Sequence, residues 1–192
     1  SMTCSRAISL LKKCNSNIET VLSTRQQDDS EFLQVVTQLF NLYPTKIQYL
    51  TTGGEINNVS ILELKTPADS KQAIMNIVDW YQRPNGVPEV KILESKMLIF
   101  HFNRISSRQT KVNNVINLQE YIQDTKTDSY YELRIVTIHR GSASSGHYTV
   151  YFRYSGDWYY YDNLEDVLKA VSFAEVKKVG GENCSTMVYY KI

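Results

Sequence analysis

The sequence predicts an α+β fold in which helices near the start of the chain pack on a mostly antiparallel sheet. Apolar residues recur with a helical period up to about residue 43. Short β-rich runs with a period of two then dominate the chain after about residue 45. With 192 residues and 42% hydrophobic content, the chain is large enough for one hydrophobic core. Helices that precede strands, instead of alternating with them, are typical of an α+β domain.

Two apolar stripes predict two or three helices within residues 5–43. The first stripe, within residues 5–13, consists of Ala7, Ile8, Leu10 and Leu11. The second consists of Phe32, Val35, Val36, Leu39 and Phe40. Asp29 or Ser30 is a suitable N-cap for this second helix, and Pro44 ends it.

The remainder of the chain predicts mainly strands, with two helices between them. The predicted strands are 47–51, 59–64, 90–93, 97–102, 112–116, 132–139, 147–154, 158–162 and 187–192. One helix is predicted from about residue 69 to residue 80, and a short one over 164–171. We find no internal repeat and no linker, so residues 1–192 are expected to form a single domain.

Composition excludes several classes of function. Lys and Arg number 21 and Asp and Glu number 20, so the chain lacks the basic surface of a general nucleic-acid binder. No apolar run approaches the ~18 residues of a membrane span, and no secretory signal opens the chain. Three scattered cysteines suit a reducing compartment, so we expect an intracellular protein, cytoplasmic or nuclear. We expect neither a cofactor nor a metal site, and no membrane or nucleic-acid partner.

A predicted β-hairpin brings a histidine close to a carboxylate. Ser155 and Gly156 separate two β-rich runs and form a typical hairpin turn. Pairing about this turn places His147 and Asp162 about 5–8 Å apart at the backbone. An aspartate beside an imidazole fixes its tautomer, as a general base requires. The alternative interpretation is a surface hairpin with an incidental histidine.

A second segment, residues 26–33, places acidic residues at the start of a predicted helix. Asp28 or Asp29 can cap that helix, and acidic side chains there complement the helix dipole. The functional interpretation of the same segment is an acidic contact for a basic ligand tail.

Several motifs, taken together and in order, resemble the ubiquitin-specific proteases. Gln-Gln-Asp-x-x-Glu-Phe-Leu at residues 26–33 resembles the internal box of that family. Gly-Ser-x-x-Ser-Gly-His-Tyr-x-x-Tyr, starting at residue 141, followed by Trp-Tyr-x-Tyr-Asp-Asn, resembles its histidine box. The runs at residues 96–104, 131–136 and 185–190 are similar to three further strands of the family. The resemblance covers residues 26–192.

The resemblance implies a papain-like fold of thumb, palm and fingers, with a helical thumb at about residues 3–43 and reduced fingers and palm at 44–192. It implies hydrolysis of the bond after the C-terminal glycine of ubiquitin, or of a ubiquitin-like protein, and a protein scaffold as a further partner. The implied catalytic residues are His147 as general base, Asp162 as its orienting partner and the adjacent Asn163. The implied contacts with the ubiquitin tail are Asp28, Glu31, Gly146 and Tyr148.

Two departures from the family pattern leave alternatives open. The zinc-binding Cys-x-x-Cys pairs of the family's fingers are missing, so no structural zinc is expected. At Cys4, the nucleophile box of the family matches only at Thr3, Cys4 and Leu10. At Cys14, the only further match is Asn17, three residues later, where the family box has an asparagine. The chain is therefore either a thiol-dependent deubiquitinase that uses Cys4, or an inactive domain that binds ubiquitin or another protein.

Overall fold

The computed structural model describes residues 13, 29–39, 45–49, 56–65, 74, 90–104, 111, 115–124, 127–142 and 145–192. Within these residues there are two helices, α1 (Asp29–Leu39) and α2 (Phe173–Asn183). The same residues form eleven strands: β1 (Thr45–Tyr49), β2 (Ile56–Val59), β3 (Leu62–Lys65), β4 (Val90–Ser95), β5 (Met97–Asn103), β6 (Tyr121–Asp124), β7 (Ser129–Gly141), β8 (Gly146–Tyr154), β9 (Asp157–Asp162), β10 (Val167–Val171) and β11 (Cys184–Lys191).

The main sheet has eight strands and confirms the predicted α+β class. Its order is β10-β9-β8-β7-β11-β5-β3, and β6 also pairs with β7. Every pairing in it is antiparallel except that of β3 with β5, which is parallel. The long strand β7 lies at its centre and pairs with β6, β8 and β11.

A smaller sheet of three strands, in the order β2-β1-β4, occupies the segment expected to form reduced fingers. Thr45 at the start of β1 donates a hydrogen bond of 3.0 Å to the carbonyl of Met97 in β5. Ser95 at the end of β4 donates one of 2.8 Å to the same carbonyl. These two bonds attach the small sheet to the main one.

Tyrosines supply much of the buried core, and their hydroxyl groups find partners. Tyr131, Tyr151 and Tyr189 are almost fully buried. Tyr189 donates to the carbonyl of Gln119 at 2.7 Å, Tyr131 to that of Ser95 at 3.3 Å, and Tyr151 to the Glu175 carboxylate at 3.3 Å. Burial is also the main reason that the pKa of Tyr151 rises to about 12. A tyrosine can fill a core in this way because its polar end is satisfied.

The predicted helix over 164–171 is wrong. The chain forms a turn after Asp162, in which Asp166 has a φ of 49°, and β10 then pairs with β9. The helix comes later, as α2, which the sequence analysis missed. Its signal was present in Ser172 and Glu175, because the Ser172 side chain accepts a hydrogen bond from the Glu175 backbone N–H. Ser-x-x-Glu is the signature of a capping box.

Other expectations fall largely outside the described residues. Of the predicted thumb at 3–43, the structure describes residue 13 and α1; of the predicted helix at 69–80, it describes the buried Ile74. Neither helix of the described part is long and apolar enough to cross a membrane.

Two glycines allow α2 to lie close to the main sheet and its neighbouring loop. A Cβ atom at Gly180 would lie 2.7 Å from the Leu118 side chain, and one at Gly181 would lie 2.7 Å from the backbone oxygen of Ile116. Ile116 also donates its backbone N–H to the Gly181 carbonyl at 2.8 Å. At Gly181 the obstacle is backbone, so no change of side-chain rotamer can relieve it.

We therefore expect Gly181→Ala to lower the free energy of unfolding by about 1–3 kcal/mol, the usual cost of overpacking a close contact. Urea denaturation measures this value. Lys177→Ala, on the exposed side of the same helix, is the control and should change stability by less than about 0.5 kcal/mol. Equal stability of the two variants would contradict the close packing of α2.

Candidate functional site

The β8–β9 hairpin brings His147 and Asp162 together as the sequence predicted. Strands β8 and β9 pair about the turn at Ser155 and Gly156, whose φ angles are 50° and 94°. Nε2 of His147 lies 2.8 Å from Oδ1 of Asp162, which confirms the expected hydrogen-bond distance. The His147 side chain is 31% exposed and that of Asp162 is 7% exposed, so the imidazole is the accessible member of the pair.

The carboxylate of Asp162 is held on both of its oxygens. Oδ1 also accepts the backbone N–H of Leu164 at 2.9 Å, and Oδ2 accepts the hydroxyl of Tyr160 at 3.2 Å. Burial alone would raise the pKa of Asp162, but the hydrogen bonds from His147, Leu164 and Tyr160 outweigh it and lower that pKa. A fixed, ionised carboxylate on Nε2 leaves Nδ1 of His147 as the nitrogen that exchanges a proton with a reacting group.

A narrow loop precedes His147 and depends on glycine at both ends. Gly141 has a φ of 138°, and a Cβ atom there would lie 2.3 Å from the Ser145 carbonyl oxygen. The Ser142 backbone N–H donates to that same oxygen at 2.7 Å, which closes the loop tightly. Because the loop is short and closed, it places His147 at a defined point at the end of the sheet.

His139 packs against this loop from the neighbouring strand. Its ring stacks on Tyr148, with the ring centroids 4.6 Å apart. A Cβ atom at Gly146 would lie 2.1 Å from Nε2 of His139, so only glycine fits beside this ring. Tyr148 and Gly146 were both expected to contact a ligand tail; in this structure both also pack on His139.

Asp29, one residue after Asp28, turns inward and anchors α1 to the main sheet. Its carboxylate accepts hydrogen bonds from Ser185 in β11, at 2.8 Å, and from Thr137 in β7. Nδ1 of His101 in β5 lies 3.6 Å from the same carboxylate. From the sequence, Asp29 was predicted only as a possible helix cap, because the spacing of residues within a helix does not indicate which strands the helix meets.

The remaining predicted site residues lie in different surroundings. Asn163 is an exposed residue of the turn after β9. Cys4, Asp28 and the side chain of Glu31 lie outside the described residues. Cys184 is fully buried, and burial raises the pKa of its thiol, so it stays protonated and unreactive. In the described part of the chain, no group of three His, Cys, Asp or Glu side chains is placed to hold a metal ion.

A groove of about 720 Å³ lies on the main sheet, away from the His147–Asp162 pair. Ile135, Val150, Phe152, Tyr190 and Ile192 supply its apolar lining, and Arg134, Arg153 and Lys191 its basic side chains. Arg153 pairs with Glu132 at 2.6 Å and with Glu120 at 3.1 Å. The groove therefore combines an apolar floor with basic side chains, of which Arg153 is paired with acidic residues.

Comparisons with known proteins find one matching family and partial relatives within it. The sequence model of the family described as ubiquitin carboxyl-terminal hydrolase matches residues 1–178. Ubiquitin carboxyl-terminal hydrolase 48 of Danio rerio is 32% identical over 84 residues, which are 39% of this chain and 8% of the relative. Ubiquitin carboxyl-terminal hydrolase 9 of Arabidopsis thaliana is 32% identical over 94 residues, 42% of this chain and 10% of the relative.

Solved structures share the fold at low sequence identity. A chain of the SAGA DUB module of Ubp8, Sgf11, Sus1 and Sgf73 bound to monoubiquitin has a TM-score of 0.76 and 16% identity, over 98% of this chain and 53% of that one. A chain of the same module bound to ubiquitin aldehyde has a TM-score of 0.70 and 15% identity, over 98% and 53%. The chain thus spans about half the length of these structural neighbours.

We expect Asp29→Ala to lower the free energy of unfolding by about 1.5–3 kcal/mol, because it removes the charged acceptor of the Ser185 and Thr137 hydroxyl groups. Chemical denaturation monitored by circular dichroism measures the change. Gln34→Ala, at an exposed position of the same helix, controls for substitution by alanine in α1. A loss no greater than that of the control would show that Asp29 does not anchor α1.

Proposed function

We propose a thiol-dependent hydrolase function for this chain, which belongs to the ubiquitin carboxyl-terminal hydrolase family. In this proposal it binds ubiquitin and hydrolyses the peptide or isopeptide bond that follows the C-terminal glycine. The single observation that carries the proposal is the hydrogen bond of 2.8 Å between His147 and the fixed carboxylate of Asp162. A reducing intracellular compartment suits this chemistry, because the nucleophile must remain a thiol.

His147 is the proposed general base and Asp162 its orienting partner. The carboxylate holds the ring through Nε2 and stabilises the imidazolium that forms when Nδ1 takes a proton. Asn163, directly after Asp162, is the proposed further polar residue of the site. The lowered pKa of Asp162 supports this assignment, since an orienting carboxylate must stay ionised while the imidazole gains and loses its proton.

Cys4 is the proposed nucleophile. Its thiol loses a proton to Nδ1 of His147, and the thiolate attacks the carbonyl carbon of the terminal glycine of ubiquitin. His147 then gives this proton to the departing amine. Cys4 and the terminal glycine of ubiquitin remain joined as a thioester. Water, deprotonated by His147, hydrolyses the thioester, and the C-terminal carboxylate and the free thiol are regenerated. The predicted helix that begins after Cys4 favours the thiolate through its dipole.

Asp28 and Glu31 are the proposed contacts for the basic tail of ubiquitin, and Gly146 and Tyr148 border the same channel. The anchoring of α1 by Asp29 supports this assignment, because it fixes the start of the helix that carries Glu31 and that follows Asp28 in sequence. Since the tail of ubiquitin ends in two glycines, a tightly closed loop next to His147 suits it. The apolar groove on the main sheet is the proposed contact for the folded body of ubiquitin or of a ubiquitin-like protein.

The second candidate function is binding without hydrolysis. The observation that favours it is the nucleophile box, in which only Thr3, Cys4 and Leu10 match the family pattern. In this alternative the domain holds ubiquitin, or a scaffold protein, through the same channel and groove. The assembly of Ubp8 with Sgf11, Sus1 and Sgf73 in the structural neighbours supports a scaffold partner in either case.

A ubiquitin probe with an electrophile at its C-terminus separates the two functions. We expect covalent labelling of the chain, seen as a mass increase of one ubiquitin, and loss of that labelling in Cys4→Ala. Cys14→Ala and Cys184→Ala are the matched controls and should label like the unchanged chain. His147→Ala should lower kcat/KM for a ubiquitin–fluorophore substrate by about 10²–10⁴-fold.

Labelling that survives in Cys4→Ala would contradict the nucleophile assignment. If the unchanged chain is not labelled but binds ubiquitin in calorimetry, the hydrolase function fails and the binding function holds.

The acidic contact is tested separately. We expect Asp28→Ala to weaken ubiquitin binding by about 1.5–3 kcal/mol, roughly 10- to 150-fold in Kd, because it removes a charge-assisted contact. Asp157→Ala, at an exposed acidic residue that begins β9, is the control for charge and should leave Kd unchanged. Equal affinity of the two variants would remove Asp28 from the tail site.

A further inference from the structure

Tyr160 in β9 carries a hydroxyl group that reaches the carboxylate of Asp162. The two residues are two positions apart in one strand, so their side chains lie on the same face of the sheet. The hydroxyl donates to Oδ2 of Asp162 at 3.2 Å, whereas His147 and the backbone N–H of Leu164 both contact Oδ1. Among the residues that the structure describes, Tyr160 is therefore the one donor to the second oxygen.

This bond on the second oxygen fixes the plane of the carboxylate. Donors on Oδ1 alone would hold the group at one point and would allow it to rotate about the Cβ–Cγ bond. A donor on Oδ2 opposes this rotation and keeps a lone pair of Oδ1 directed at Nε2 of His147. The side chain of Asp162 is 7% exposed, so water has little access to Oδ2 in place of the hydroxyl.

The ring of Tyr160 is itself held by the strands on either side of β9. It is buried, and its centroid lies 5.1 Å from the ring centroid of Tyr151 in β8. From the other neighbouring strand, Nζ of Lys169 in β10 lies 5.0 Å from the same centroid, where a cation is attracted to an aromatic ring. The packing of β8, β9 and β10 therefore sets the direction of the hydroxyl towards Asp162.

Thr149 of β8 shows that a hydroxyl on this face need not bind the carboxylate. Val150 pairs with Tyr161, so the residue before it lies opposite Asp162 on the neighbouring strand. Thr149 is buried, and its hydroxyl has no hydrogen-bond partner within the part of the chain that the structure describes. Two hydroxyl-bearing residues are thus close to Asp162 along the strands, and Tyr160 is the one that binds it.

We propose that Tyr160 is a positioning residue, which acts through Asp162 to hold the imidazole of His147 in the orientation that proton transfer requires. This inference rests on the proposed function, because it assigns a further residue to the same reaction. Tyr160 contacts the carboxylate on the Nε2 side of the imidazole, whereas the reacting groups belong to the Nδ1 side. Its hydroxyl therefore affects the chemical step and not the binding of ubiquitin.

Tyr160→Phe tests this role in the 192-residue chain, because it removes the hydroxyl and keeps the ring. We expect kcat on a ubiquitin–fluorophore substrate to fall about tenfold, as for the loss of one hydrogen bond to a charged group. KM should change by less than about twofold, since the hydroxyl makes no contact with ubiquitin. The concentration of active chains is counted with the electrophilic ubiquitin probe, so that unfolded protein does not lower the measured kcat.

Two variants are matched controls. Tyr161→Phe removes the same atom from the next residue of β9, whose side chain lies on the opposite face of the sheet. Thr149→Val removes the buried hydroxyl that has no partner in the described part of the chain. Both should keep kcat within about twofold of the unchanged chain. An unchanged kcat in Tyr160→Phe, a change in its KM alone, or an equal loss of kcat in either control would overturn the positioning role.

A second measurement reports on the imidazole without any hydrolysis. The chain has three histidines, so the Nε2–H proton of His147 can be assigned in ¹⁵N-labelled protein as the signal that His147→Ala loses. In the unchanged chain this proton lies in the hydrogen bond to Oδ1 of Asp162. We expect Tyr160→Phe to raise its rate of exchange with water about tenfold, and Tyr161→Phe to leave the rate unchanged.

This measurement separates the positioning role from the proposed function. If the unchanged chain does not hydrolyse the substrate but the exchange rate rises in Tyr160→Phe alone, the hydrolase function fails and the positioning role holds. Equal exchange rates in Tyr160→Phe and the unchanged chain would overturn the positioning role, whether or not the chain is active.

Discussion

The register of strand β7 is the constraint on which the rest of the structure depends. On one side Arg140 pairs with His147 of β8, and on the other Thr137 pairs with Thr186 of β11. Thr137 also donates a hydrogen bond to Asp29, so the same strand that sets the position of His147 also holds α1. A slip of one residue would turn every side chain of β7 to the opposite face of the sheet. It would displace His147 and would also separate Thr137 from Asp29.

The partial burial of Asp29 shows how this register is reinforced. A carboxylate that loses part of its water must be compensated, and here the compensation comes from Ser185, Thr137 and the nearby His101, on three different strands. A different docking of α1 would leave a partly buried charge without these donors. The contact therefore specifies where α1 packs on the sheet and also stabilises that packing. In this position the carboxylate of Asp29, the first residue of α1, has its hydrogen-bond donors.

How much could be predicted from the sequence depends on how local each contact is. The β8–β9 hairpin has a turn signal at Ser155 and Gly156, and counting residues from it was enough to bring His147 and Asp162 together. The prediction for 164–171 is wrong, because Leu164, Val167, Leu168 and Val171 recur at the spacing of a helix although the segment forms a turn and an edge strand. Here the turn with Asp166 at positive φ and the pairing of β10 with β9 determined the structure.

Contacts between distant parts of the chain were beyond sequence reasoning. The parallel pairing of β3 with β5 and the position of Asp29 against β7 and β11 have no local signal. His101 is buried, with Nδ1 3.1 Å from the hydroxyl oxygen of Thr186. A histidine in an apolar strand gives no signal in the sequence for the carboxylates of Asp29 and Glu63 that lie near its ring.

The way in which Asp162 is held makes its orientation independent of the side chain at residue 164 in the turn that follows it. Besides His147 and Tyr160, its carboxylate accepts a backbone N–H of the turn, from Leu164, and this bond does not depend on which side chain residue 164 carries. Residues 164 and 165 can therefore change in sequence while the turn keeps its backbone and the orientation of His147, whereas residue 166 needs an amino acid that tolerates its φ of 49°. For this reason we expect substitutions at residues 164 and 165 to leave the His147–Asp162 contact in place.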